Sequence, residues 1–147
     1  MKAIVQRIAK GKISVNNKKV AEVKNGLVLF LGIKKRDGAK EITYLAKKIV
    51  HLRIFDDEQG KMNRSLKDVG GELLIVSQFT LYGNCKKGLR PSYDEAEEPI
   101  RAKALYHDFI EEVKKYDIPF QTGLFQERML VSIDIEGPVT IIIETPL

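Results

Sequence analysis

The sequence predicts a strand-rich chain of the α/β class, α+β in type, on three observations. Residues 2–8 and 129–136 alternate apolar and polar side chains with the period of a strand. Residues 27–33 and 73–76 are apolar on both faces, the pattern of strands buried from both sides. Only two stretches, 42–52 and 102–113, carry apolar residues at helical spacing.

The elements follow in order. Residues 2–8 set Ala3, Val5 and Arg7 on one face and Ile4, Gln6 and Ile8 on the other, so Arg7 leans toward whatever Val5 packs against. Strands at 12–15 and 20–23 flank Asn16-Asn17-Lys18; asparagine tolerates left-handed backbone, so this reads as a hairpin. Residues 27–33 follow Asn25-Gly26 as a central strand. The polar turn 34–38 introduces a helix with a stripe of Ile42, Leu45, Ala46, Ile49 and Leu52. His51 lies off that stripe, and an acid–base histidine needs a placed partner, so it reads as a surface residue. A short strand is expected at 53–55, then a polar turn at 56–61. Asp56 and Asp57 there lack the further spaced carboxylates of a calcium loop.

Residues 70–83 organise the chain: Gly-Gly-Glu-Leu-Leu-Ile-Val-Ser-Gln-Phe-Thr-Leu-Tyr-Gly. An apolar strand bounded by glycines turns abruptly polar while its pattern continues, which puts Ser77 and Phe79 on one face and Gln78 and Thr80 on the other. Two hydroxyls and an amide at the mouth of an apolar strand either dress a pocket or satisfy one another at a strand end. Residues 82–98 read as irregular. The first part, with Lys86, Lys87 and Arg90, is basic and glycine-punctuated, suited to running beside a phosphate backbone. The second, 94–98, is acidic and leads into a helix whose positive N-terminus favours carboxylates, with Pro99 in its first turn. That helix buries Ala102, Leu105, Phe109 and Val113 and leaves His107 on its polar face.

Residues 120–127 have loop character, and Phe120 and Phe125 serve there either as core plugs or as platforms for a nucleobase. From Met129, a strand sets Met129, Val131, Ile133 and Ile135 against Leu130, Ser132, Asp134 and Glu136. It stops at Gly137-Pro138, and a further strand runs over 139–144. Gly-Pro there is either a plain strand break or a bend whose displayed backbone groups form a rigid wall; an X-Pro bond is where a cis peptide is cheap.

Composition narrows the function classes. At 147 residues the chain fits one domain, residues 1–147, with 44% apolar and 31% charged residues and no low-complexity tract. No apolar run reaches the roughly 18 to 20 residues of a membrane span, and the N-terminus lacks a signal-peptide core, so the cytoplasm is expected. One cysteine, Cys85, forms no internal disulfide, and with two histidines it makes a poor zinc inventory; neither metal nor cofactor is expected. A net charge of +5 suits a polyanionic partner and equally suits a solvated charged surface.

Residues 70–81, with Ser77-Gln78-Phe79-Thr80-Leu81 at their end, and Gly137-Pro138-Val139-Thr140 together resemble the two signature motifs of the D-aminoacyl-tRNA deacylases. The resemblance extends to Val5-Gln6-Arg7, Arg53-Ile54-Phe55, Gly60-Lys61-Met62-Asn63, Gly88-Leu89-Arg90-Pro91-Ser92-Tyr93 and Gln121-Thr122-Gly123, and so covers the chain in order. It implies a homodimer with a mostly antiparallel, barrel-like sheet and a few outer helices. It also implies hydrolysis of the ester joining a D-amino acid, or glycine mischarged on tRNA-Ala, to the terminal adenosine of tRNA, with L-aminoacyl-tRNA spared. In that family Gly137-cis-Pro138 of one subunit enters the pocket of the other and excludes an L side chain by clash. Arg7 matches the residue that orients that motif, which Val139 and Thr140 also support, and Phe125 and Met129 match the adenine-binding positions. Thr80 is a weak nucleophile without an adjacent base. The family favours a path assisted by the ribose 2′-hydroxyl, with Ser77, Gln78, Phe79 and Thr80 shaping the pocket and main-chain amides near Phe79 and Thr80 polarising the carbonyl. Lys86, Lys87 and Arg90 then meet tRNA phosphates. The rival readings are a tRNA-binding module without catalysis and an esterase for small D-amino-acid esters.

Overall fold

In the computed structural model, which describes residues 1–146, the two strands expected at 2–8 and 12–15 are one, β1, Lys2–Val15. The chain has no turn between them because β1 changes neighbours instead of direction. Its first half pairs antiparallel with β3, Gly26–Gly32, and its second half with β2, Lys18–Val23. Arg7 and Ile8 are buried in succession, so the inward face switches there. The β1–β2 hairpin turns at Asn16 and Asn17, both left-handed at φ 49° and 62°, as their side chains predicted.

β3 is central, with β1 on one side and β6, Glu72–Ser77, parallel on the other; β7, Phe120–Thr122, adds parallel to β6. The expected antiparallel sheet is therefore mixed. The reason lies in the connections: α1, Ala39–Val50, lies between β3 and β6, and α2, Pro99–Lys114, lies between β6 and β7. Crossovers that carry a helix return the chain in the same direction. β7 also converts the start of the expected 120–127 loop into a strand. β8, Leu130–Glu144, pairs with β1 on both sides of a break at Arg7, so the strands expected on either side of Gly137-Pro138 are one element. The order β2-β1-β3-β6-β7, with β8 on the far side of β1, curls until β2 approaches β6 and β7, giving a nearly closed barrel-like sheet. A two-stranded hairpin, β4, Phe55–Asp56, with β5, Met62–Arg64, replaces the strand expected at 53–55.

Alternation in β3 and β6 builds two cores. Leu27, Leu29, Leu31, Leu73 and Ile75 face the helices and meet Leu45, Ile49, Phe109 and Val113. Val28, Leu74 and Val76 face the barrel interior with Ile8, Ile13 and Val23. Each such fully buried side chain contributes about 1.5–3 kcal/mol relative to exposure. Gly26 lets β3 start against β6, since a Cβ there would lie 1.9 Å from the Glu72 carbonyl oxygen. The chain ends are tied together: the buried Met1 α-ammonium donates to Asp37 Oδ1 at 2.7 Å and Thr145 Oγ1 at 2.6 Å.

Candidate active site

The site is built where β6 stops. The Gln78 amide bonds to the Leu31 carbonyl at 2.8 Å, and a 3₁₀ turn then occupies Phe79–Tyr82. The strand expected to run through Thr80 ends here because its partner β3 ends at Gly32. The turn folds over that glycine, where a Cβ would meet Leu81 Cβ at 3.1 Å. Strict alternation from Ser77 to Thr80 is thereby lost. Ser77, Gln78 and Phe79 all line a cavity of about 670 Å³, together with Phe125 and Met129. Thr80 does not line it; it is exposed, and its Oγ1 accepts a hydrogen bond from Gln78 Nε2. Pocket and mutual satisfaction, the two readings of this polar strand end, therefore both occur, and Gln78 takes part in both.

Phe79 is 57% exposed, its ring set edge-on to Tyr93 at 5.1 Å. Tyr93 also lines the cavity, as do Glu97, Glu98 and Glu127 at its wall, a placement the sequence reading did not foresee. Behind them, Tyr106 is the buried α2 residue that stripe reading missed, being adjacent to Leu105 in the helix. Its hydroxyl donates to the Ile75 carbonyl at 3.2 Å, its ring tilts against Phe125 at 5.6 Å, and burial pushes its ionisation well above the ordinary tyrosine value. One side chain thus ties β6 to the cavity aromatic. Phe120 and Phe125 are both half-buried against the helix-side core, so each plugs the core, and Phe125 also faces the cavity.

The Gly137-Pro138 segment sits elsewhere. Gln6 pairs with Thr140 and Ile8 with Ile135, so Arg7 alone on β1 stands opposite residues 136–139 of β8, which bulge outward. The Gly137–Pro138 bond is cis, Gly137 has φ +118°, and both residues are exposed. Ile135, expected to point inward, is 45% exposed at the edge of this bulge. Arg7 is buried; its Nη1 donates to the Ile54 carbonyl at 2.9 Å and Asp56 Oδ1 at 3.3 Å, and a Cβ on Gly137 would lie 3.2 Å from its Nη2. Val139 packs on the helix-side core, and Thr140 Oγ1 accepts from Gln6 Nε2 at 3.2 Å. None of Arg7, Gly137, Pro138, Val139 and Thr140 lines the cavity of its own chain.

Lys86, Lys87 and Arg90 are exposed on a loop closed by paired amide bonds between Asn84 and Ser92, at 2.8 and 3.1 Å. Asn84 Oδ1 accepts from the Lys86 amide at 3.0 Å, and Gly88 turns the chain at φ +67°. Neither histidine belongs to the cavity lining: His51 lies edge-on to Tyr116, and His107 is exposed beside Tyr106. Among the described residues no group of three or more His, Cys, Asp or Glu is arranged to hold a metal, and no helix is long and apolar enough to cross a membrane.

A family model described as D-Tyr-tRNA(Tyr) deacylase matches residues 4–144. A D-aminoacyl-tRNA deacylase of Thermosipho africanus is 51% identical over 145 residues, covering 99% of this chain and 97% of its own. One of Desulfotalea psychrophila is 52% identical at the same coverage. Among solved structures, one described as c-Myc DNA Unwinding Element Binding Protein superposes with a TM-score of 0.95 at 37% identity, covering 100% of both chains. With a match over nearly its whole length and relatives at half identity, the chain belongs to the D-Tyr-tRNA(Tyr) deacylase family.

Proposed function

We propose that the protein hydrolyses the ester bond of D-aminoacyl-tRNA, releasing the D-amino acid and tRNA. The observation that carries this is the coincidence of the family match with a cavity lined by Ser77, Gln78, Phe79, Phe125 and Met129. In this reading Phe125 and Met129 take the terminal adenine, and the carbonyl lies against the start of the 3₁₀ turn. The first amide of that turn with a partner is that of Leu81, bonded to the Gln78 carbonyl at 3.3 Å. The amides of Phe79 and Thr80 precede it and are left free by the turn's own geometry to polarise an ester carbonyl. A donor of this kind is typically worth about 10² to 10³ in rate. With no imidazole or ammonium among the cavity residues, the 2′-hydroxyl of the ribose helps to activate water, and Thr80 supports Gln78 without attacking the ester.

Handedness is read by Gly137-Pro138 of a second copy. Support comes from the exposed Glu136, Gly137 and Pro138 at the bulge, which stand outside the cavity of their own chain where a second copy can receive them. Glycine has no side chain to exclude, so glycyl-tRNA, including glycine mischarged on tRNA-Ala, is also a substrate. Lys86, Lys87 and Arg90 meet the acceptor-end phosphates, and the reaction belongs in the cytoplasm, where charged tRNA is used. The deciding experiment is release of amino acid from D- and L-tyrosyl-tRNA by purified protein in the presence of chelator. D-selective release supports the proposal. Binding without release of either would favour a tRNA-binding module, and release from small D-amino-acid esters but not from tRNA would favour a simple esterase.

A further inference from the structure

We propose that Asp56, held by the β4–β5 hairpin, is a positioning residue that acts through Arg7 on Gly137 and so sets how strictly D is separated from L. The inference rests on the reading above, in which the Gly137-Pro138 segment judges handedness. Arg7 occupies the break in the β1–β8 ladder and is 7% exposed. Its Nη1 is shared between the Ile54 carbonyl and Asp56 Oδ1, while its Nε is buried with no hydrogen-bond partner. A buried unpaired donor is destabilising, so the guanidinium is not placed for its own satisfaction. The group is planar and rigid; fixing its Nη1 edge fixes the direction of Nη2, which faces Gly137.

Asp56 is the carboxylate paired with Arg7 among the described residues; its side chain is 52% exposed, and the hairpin backbone that carries it is held from behind. Asp57 accepts from the Gln59 and Lys61 amides at 2.8 and 3.0 Å and from Asn63 Nδ2 at 2.8 Å. Arg53 donates to the carbonyl and to Oδ1 of Asn63, both at 2.8 Å. Residues 57–64 bury little, Met62 being 52% exposed, so this polar framework serves chiefly to hold the hairpin rigid. What the hairpin delivers inward is Ile54, Phe55 and the Asp56 contact with Arg7.

The test is deacylation of D- and L-tyrosyl-tRNA by Asp56→Asn, Asp56→Glu, Asn63→Ala and Glu58→Gln, with the Gly137 amide followed by NMR. Asp56→Asn should lower the D-to-L ratio of kcat/KM about fivefold to tenfold, the scale of one partly buried ion pair. Asn63→Ala, which loosens the hairpin without touching Arg7, should lower it less, Asp56→Glu should recover part of the loss, and Glu58→Gln should leave it unchanged. The Gly137 resonance should move in Asp56→Asn and not in Glu58→Gln. An active, D-selective wild type with an unchanged ratio and an unmoved Gly137 resonance in Asp56→Asn overturns the inference, as does an equal fall in both activities. A wild type that does not prefer D overturns the functional reading itself, and the inference with it.

Discussion

Replacing Gly137 with alanine tests the proposed reader of handedness apart from the rest of the fold. At φ +118° an L side chain is strained, and the added Cβ would lie 2.9 Å from Val139 Cγ2, 3.0 Å from the Val139 amide nitrogen and 3.2 Å from Arg7 Nη2. Residues in such conformations cost about 1–3 kcal/mol each. If the exposed bulge relaxes to relieve that strain, Gly137 leaves its place against Arg7 and the loss appears in function, about fivefold to more than a hundredfold in kcat/KM for D-tyrosyl-tRNA. If the bulge is held, the same energy appears as lost stability. Single-turnover deacylation and thermal melting, run together, distinguish the two. The control is Gly70→Ala, also left-handed at φ +61° but with nothing within 4 Å of its Cβ, which should lose only stability. Full D-selective activity at wild-type stability in Gly137→Ala would refute the reasoning.

Asp37→Asn leaves the buried Met1 ammonium without its counter-charge. Breaking such a pair costs about 3–5 kcal/mol, so melting should fall by about 10 °C with D-to-L selectivity intact. Substituting Lys86, Lys87 and Arg90 by alanine together should weaken tRNA binding and reduce the slope of log affinity against log salt by about 2, read from titrations between low and moderate salt. The Asp57 carboxyl is held below its ordinary 3.8 by Asn63 first and then by the Lys61 amide. A depressed folded value means that the stabilisation is fully present above 3.8 and is lost as pH falls through the lower folded value. Amide protection at Lys61 should therefore persist to about that pH and collapse only below it, and Asp57→Asn should remove this pH dependence.

Features settled within a few residues were legible in the sequence, and features settled by a partner strand were not. Asn16-Asn17 makes its hairpin by the backbone preference of the two residues, and the helix stripes of α1 and α2 need only their own spacing. By contrast, the end of β6 at Ser77 depends on Gly32 ending the neighbouring strand, so no pattern within 77–80 announces it. Glu97 reaches the cavity because the Lys35 amide bonds to the Glu95 carbonyl and the Glu97 amide to the Ile33 carbonyl, each at 3.0 Å, drawing this acidic stretch onto the end of β3. Read locally, the same carboxylates were only the approach to a helix. The pairing of Arg7 with Asp56 spans 49 residues and has no local signature. What the motifs did supply was membership: Ser77, Gln78, Phe79, Phe125 and Met129 converge on one cavity, although no periodicity connects 77–79 with 125–129.

The distribution of charge then constrains how a charged tRNA end approaches. The cavity lining contains Glu97, Glu98 and Glu127 and no cationic side chain. Glu97 is paired with Arg101, which also donates to the Asp37 carbonyl at 2.8 Å, so Glu98 and Glu127 are the carboxylates left to set the local field. A phosphate placed in this cavity would meet two negative groups over low-dielectric walls, whereas an aminoacyl ester brings a positive α-ammonium and a neutral base and sugar. The cations lie outside, on the loop closed by Asn84 and Ser92. In the proposed reading, the terminal nucleoside and its ester therefore enter the cavity while the phosphates stay on the basic loop.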